Sequence, residues 1–208
     1  MSIRRALPSD AASIAAVHVR SWQAAYRGLV PDPYLKGLDV AERTEVWRER
    51  LTGPAAPVVL VAEDESGSVT AFASFRPWPD GEGDTGGGEG GRGGEGEGGG
   101  GGEGAGGRGG EGEGEATPLD AAVTAELSTL YAAPEAWGRG VGRALLAATV
   151  EAMRGAGFRD AGLWVFEENS RARAFYERAG WRTDGESVTE DTGGRTLREL
   201  RYALPLFG

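Results

Sequence analysis

Cysteine is absent from the 208 residues, histidine occurs once, as His18, and lysine once, as Lys36. Without cysteine there is no disulfide, no thiolate nucleophile and no cysteine-based zinc site. A single histidine leaves no histidine metal cluster and weighs against a His-centred triad, so no metal is expected. No apolar run approaches the length of a membrane span. The N-terminus carries Arg4 and Arg5, but Pro8, Asp10 and Arg20 interrupt what a signal core would need to keep apolar. The expectation is a soluble, cytoplasmic protein with no membrane partner.

Glycine and acid are abundant, but locally. Residues 80–115 hold 22 of the 37 glycines and ten Asp or Glu, with only Arg92 and Arg108 as cations. That segment carries −8 of the formal charge of −10. It has almost nothing to bury, so it is predicted to be a disordered, low-complexity insert. The other 172 residues carry −2 and have an ordinary composition, enough for one domain spanning 1–208 and interrupted by the insert. No bulk basic patch for nucleic acid remains. Two arginines among ten carboxylates also make the insert a poor partner for phosphate.

Outside the insert the hydrophobic pattern alternates between periods. A short strand over 2–6 leads through Pro8-Ser9-Asp10, with Ser9 or Asp10 as N-cap, into a helix carrying Ile14, Val17 and Ser21 on one face. Residues 26–38 read as a loop or broken helix, and 40–51 as a helix. Strands at 58–63 and 69–76 flank a turn and form a hairpin. After the insert, a strand over 124–133 runs into a glycine-rich turn and a helix to about Arg154. A strand at 161–166, a helix at 170–178 and two strands at 181–188 and 197–204 complete the chain. This order predicts an α/β fold: a mixed, mostly antiparallel sheet flanked by helices, with the insert between its third and fourth strands.

The turn reads Trp137-Gly138-Arg139-Gly140-Val141-Gly142-Arg143. Alternate glycines let backbone N–H groups converge on a concave nest, and the helix N-terminus adds partial positive charge. The turn therefore suits a phosphate-bearing ligand, or simply close strand–helix packing. It is no Walker loop, since no Gly-Lys-Ser/Thr follows, and GxGxG lacks the third-glycine spacing of a dinucleotide fingerprint.

Leu130-Tyr131-Ala132-Ala133-Pro134 with this turn resembles the acyl-CoA-binding motif of the GCN5-related N-acetyltransferase (GNAT) family. Residues 169–181, from Asn169 through Phe175-Tyr176 to Gly180-Trp181, look like that family's second motif, in the right order and about 30 residues on. The resemblance covers essentially the whole chain except the insert. One departure is Trp137, where the family usually has Gln or Arg.

The resemblance implies a GNAT-type sheet and acetyl-CoA as co-substrate. Backbone N–H groups of Gly138, Arg139, Gly140, Val141, Gly142 and Arg143 would hold the pyrophosphate. Leu130, Tyr131 and Ala132 would pair with the pantetheine arm, an N–H near Leu130 polarising the thioester carbonyl. Asn169 would face the same arm, or serve only as an N-cap. Glu126, eleven residues before Trp137, matches the strand glutamate that some members use as base, or is a solvated or ion-paired strand residue. Tyr176 is the acid candidate, since a phenol of pKa about 10 can share a proton with a thiolate of about 8.5; its other reading is core packing beside Phe175. Trp22, Tyr26 and Tyr34 fall in the segment that lines the family's acceptor pocket, where they sandwich an amine or form core. His18 reads as a structural histidine or a second base. The implied reaction is acetyl transfer to a primary amine of a small molecule or peptide by direct attack. Acetylation of a protein N-terminus or lysine, and acyl-CoA sensing without catalysis, stay open, as does a homodimer.

Overall fold

The computed structural model describes residues 1–79 and 119–207. The insert expected at 80–115 lies outside the described residues. Strands β1 (Ser2–Arg5), β2 (Val58–Glu63), β3 (Val69–Pro77), β4 (Thr124–Ala132), β5 (Asp160–Phe166), β6 (Arg182–Thr192) and β7 (Arg195–Pro205) form one sheet. Its order is β1-β2-β3-β4-β5-β7-β6, antiparallel throughout except for β4 against β5. Helices α1 (Ala11–Ala25), α2 (Asp32–Gly37) and α3 (Val40–Thr52) precede β2; α4 (Val141–Gly155) and α5 (Ser170–Arg178) bracket β5. This is the mixed, mostly antiparallel α/β sheet that the sequence predicts. No helix among the described residues is long and apolar enough to cross a membrane.

The two faces of the sheet hold different cores. On one, Ile14, Val17 and Trp47 of α1 and α3 pack on Val59, Val61 and Phe72. On the other, Leu145, Leu146, Val150 and Met153 of α4 pack on Ala73, Phe75, Leu127, Leu163 and Val165. β2 and β3 alternate between these faces, as period two requires. Asp10 occupies the N-cap position of α1, as expected, but its side chain makes no cap hydrogen bond there. Asp10 belongs to a 3-10 turn (Pro8–Asp10), where its carboxylate pairs with Arg4 at 2.7 Å and accepts the Leu7 N–H at 2.7 Å. A charge-assisted pair with β1 outcompetes a neutral cap.

Two irregularities in β4 create the space for a site. Phe75 pairs with Leu127 and Ser74 with Thr129, so Ser128 is an extra residue, a bulge that re-phases the strand. Beside it, β4 and β5 pair only at Glu126↔Gly162 and the two preceding positions. Beyond that level the strands diverge, and the edge of β4 from 127 to 132 is not paired by β5. Gly162 marks the base of the splay: a Cβ there would collide with the Trp78 ring, which lies across the sheet with Leu119.

Candidate active site

The splay opens a cavity of about 430 Å³ through the sheet. Leu130, Ala132 and the α4 turn line one end; Ser21 and Ala25 of α1 and Tyr26 just after it, with Phe166 and Glu199, line the other. A small site reached from both faces of a sheet is the result of two strands parting, not of a separate domain.

The turn end is built from backbone. Gly138 and Gly140 have φ of +74° and +82°, in the left-handed region that glycine enters without cost. A Cβ at either would meet nothing within 4 Å, so the conformation and not the space demands glycine. α4 has no side-chain cap at Gly140, so its first N–H groups and the helix dipole are left for a ligand. Gly138, Gly140, Gly142 and Arg143 all line the cavity, with Arg171 and Arg178 of α5 adding positive charge. This donor set and this charge fit a pyrophosphate. Arg139 and Val141 face elsewhere: Arg139 borders a separate hollow with Glu135 and Asp64, and Val141 also belongs to the α4 core. Their side chains are therefore not part of the nest, although their backbone belongs to the turn. Trp137 lines the cavity, donates from its indole Nε1 to the Ala132 carbonyl at 2.7 Å, and carries the Arg171 guanidinium 4.1 Å above its ring. The departure from the family pattern thus locks the end of β4 to the turn.

Asn169 and Tyr176 both line the cavity. The Asn169 side chain accepts from the Ala172 N–H at 3.1 Å and so caps α5, whatever else it does. Arg173 and Glu177 tie α5 to the Tyr202 hydroxyl on β7 at 3.1 and 2.7 Å, which fixes the rotation of the helix and aims Tyr176 inward. Tyr176 packs on Phe175 and Trp181. Burial, with the nearby Tyr26 phenol adding to it, pushes its hydroxyl well above the ordinary phenol value. It is a proton donor at rest.

At the other end, side chains do the work. Tyr26 lines the cavity, hydrogen-bonds Tyr131, and is pushed up to about 12, mainly by burial. Trp22 is 1 % exposed and stands behind Tyr26, ring centroids 4.6 Å apart, in the core with Leu35 and Leu197. Tyr34 lies against Gly193 at the β6–β7 turn. Neither lines the cavity; both brace its wall from outside. Arg195 completes that brace, donating to the Leu29 carbonyl at 2.8 Å and pairing with Glu168 at 3.0 Å. His18 is buried in the α1 core, accepting the Trp47 indole N–H on Nδ1 at 3.2 Å and stacking on Tyr131. Burial, then Arg43 and Arg50, keep it well below its usual value, hence neutral.

The structure does not bring Glu126 to the cavity. It is 2 % exposed and its carboxylate accepts from Arg76 Nε at 2.6 Å and from Ser128 Oγ at 3.4 Å. The bulge at Ser128 also separates it in phase from Leu130: Glu126 pairs with Arg76, whereas Leu130 pairs with Ala73 on the opposite face. Sequence reasoning passed over Glu199 instead. This β7 residue lines the cavity, is 2 % exposed, and its Oε2 has no hydrogen-bond partner among the described residues. Burial, with Glu190 and Glu126 nearby, pushes it up to about 8. Its only mark in the sequence is a shared period-two face with Leu197, which is an inward face.

A sequence model described as the acetyltransferase (GNAT) family matches residues 22–181. The uncharacterized N-acetyltransferase YuaI of Bacillus subtilis is 32 % identical, over 99 % of this chain and 93 % of that protein. The fold matches the ribosomal-protein-alanine N-acetyltransferase of Brucella melitensis at a TM-score of 0.63 and 22 % identity, over 99 % of each chain. It also matches yncA of Salmonella typhimurium, solved with its cofactor acetyl-CoA, at a TM-score of 0.63 and 20 % identity, over 100 % of this chain and 95 % of that one.

Proposed function

The chain belongs to the GCN5-related N-acetyltransferase (GNAT) family, and on that footing we propose that it moves the acetyl group of acetyl-CoA to a primary amine of a small molecule or peptide by direct attack. The observation that carries this reading is the single cavity joining an uncapped helix N-terminus to an acid-bearing end through the β4–β5 splay. Acetyl-CoA supplies the thioester carbon that the amine attacks and the thiolate that departs. The N–H groups from Gly138 to Arg143 hold the pyrophosphate, and Arg143, Arg171 and Arg178 offset its charge. The edge of β4 at Leu130, Tyr131 and Ala132 offers the extended arm a strand to pair with, and Asn169 borders the same path. An N–H near Leu130 polarises the thioester carbonyl. Tyr176 donates its proton to the departing sulfur. Tyr26, braced by Trp22 and Tyr34, shapes the acceptor end.

Thiol release from acetyl-CoA across a panel of small amines, peptides with free N-termini and lysine peptides tests this. Turnover with a small amine or peptide is the expected result. Turnover with folded proteins alone replaces it with protein acetylation, and tight acetyl-CoA binding with every acceptor inert replaces it with sensing. Failure to bind any CoA thioester overturns the reading.

A further inference from the structure

We propose that Glu199, on β7, is the group that takes the proton from the acceptor amine, and that the acceptor therefore enters as an ammonium. The inference rests on the reading of the cavity as an acetyl-transfer site. Among the described residues lining that cavity, Glu199 is the one carboxylate. Its neighbours on β6 and β5 are settled by register: it sits between Val188 and Phe166, on the face of the sheet that carries Leu197 and α1. A carboxylate oxygen buried at 2 % exposure with no donor among the described residues is a costly arrangement in a folded chain. An ammonium group entering from the cavity would meet that oxygen.

The charged and titratable groups around Glu199 come from every element packed on it. Tyr26, the residue that ends α1, lines the same cavity, and the Glu199 charge adds to the rise of that phenol. Glu190 of β6 lies diagonal to it, two residues beyond Val188, and Glu126 of β4 stands further off, paired with Arg76 of β3. On its own strand Arg201 is paired with Asp184 at 2.6 Å. Burial, with the Glu190 and Glu126 carboxylates adding to it, thus brings Glu199 up to about 8, near the working range of a base that accepts a proton from an alkylammonium and returns it to water. Glu126 is instead engaged by Arg76 at 2.6 Å and does not line the cavity.

The protons balance. The ammonium yields one proton to Glu199 and becomes a nucleophile. As the C–N bond forms and the C–S bond breaks, Tyr176 gives its proton to sulfur and recovers the second proton from nitrogen. Glu199 then releases its proton to solvent, so the sum is ammonium plus thioester to amide, thiol and one proton.

The test compares wild type, Glu199→Gln and Glu199→Asp with acetyl-CoA and two acceptors. n-Propylamine is an ammonium at pH 7; aminoacetonitrile is already neutral there. Calorimetry should give the same acetyl-CoA affinity, within twofold, for all three proteins. With n-propylamine, Glu199→Gln should lose about 100-fold in kcat/KM at pH 7 and recover as pH rises, while Glu199→Asp keeps part of the rate and the wild-type pH limb. With aminoacetonitrile the loss should shrink below about fivefold, a selectivity that a merely structural defect would not show. Carbon-13 NMR of the glutamate δ-carboxyls should show one group titrating near pH 8 that vanishes in Glu199→Gln. Equal losses with both amines, an unchanged pH profile, or no such titration overturns the assignment. Absence of acetyl-CoA binding in the wild type instead removes the functional reading, and the NMR titration still decides whether Glu199 is poised.

Discussion

The glycine turn and the Glu199 end share one cavity but are made of different material. At the turn, the proposed ligand contacts come from backbone N–H groups, and side chains serve mainly to hold the backbone in place. At the other end the backbone is engaged in the ladders joining β5, β7 and β6, and the proposed chemistry depends on the side chains of Tyr26 and Glu199. Backbone contacts tolerate substitution of the residues that make them, whereas a buried carboxyl is a single point of failure. It is also a stability cost. Glu199 is protonated more readily folded than unfolded, so its stabilising neutral form is complete below about pH 4.5 and is lost as pH rises through about 8. Glu199→Gln should match wild type in unfolding free energy at pH 4. By pH 9 it should be more stable by on the order of 2–4 kcal/mol, since each tenfold difference in proton affinity between the folded and unfolded chain is worth about 1.4 kcal/mol. Paired urea titrations at the two pH values check this. A variant that gains stability while losing rate sets the acceptor end apart from the turn, where substitutions should weaken acetyl-CoA binding and leave kcat nearly unchanged.

Tyr176→Phe comes next in size. Removing the hydroxyl from a side chain that keeps its packing on Phe175 and Trp181 should lower kcat about 10–100-fold and leave both KM values within twofold. Steady-state kinetics with saturating acetyl-CoA reads this, and an unchanged kcat would remove Tyr176 from proton transfer. Gly140→Ala probes the turn. With no atom near the added methyl, the expected cost is that of holding Ala at φ +82°, about 1–2 kcal/mol. That should appear as roughly tenfold weaker acetyl-CoA binding, with kcat at saturation nearly unchanged.

The same contrast explains which parts of the molecule are legible in the chain. Glycine spacing at Gly138, Gly140 and Gly142 reports backbone conformation directly, so the turn and its helix can be read, as can Asn169 and Tyr176 through their motif. The sheet follows from period-two runs, including β4–β5, because a strand–helix–strand unit pairs in parallel. Glu126 stands out in sequence by its spacing from Trp137, whereas Glu199 does not. What separates them in the fold is a bulge at Ser128, an ion pair to a residue 50 positions away, and strand order that inserts β7 between β5 and β6. Each is a tertiary fact with no local signature. Position along the chain points Trp22 and Tyr34 to the acceptor wall; that they pack behind that wall depends on the register of α1 and α2 against β7.

Trp137 offers the smallest effect and the finest test of the contrast, because it is the one place where a side chain helps build the backbone-made end. Its indole N–H holds the Ala132 carbonyl at 2.7 Å, and its ring carries Arg171. Trp137→Phe keeps a ring under the guanidinium and deletes the hydrogen bond. Ala132 is only half-buried, so water can replace the lost donor, and the cost should stay near the net value of one hydrogen bond, about 1 kcal/mol. The expected outcome is about fivefold weaker acetyl-CoA binding with kcat and the pH profile of n-propylamine acetylation unchanged. Trp137→Leu removes the ring as well and should add about 0.5–1 kcal/mol for the partly exposed cation–π contact. If either variant instead shifts the pH profile, the end of β4 is coupled to Glu199, and the two ends of the cavity are not independent.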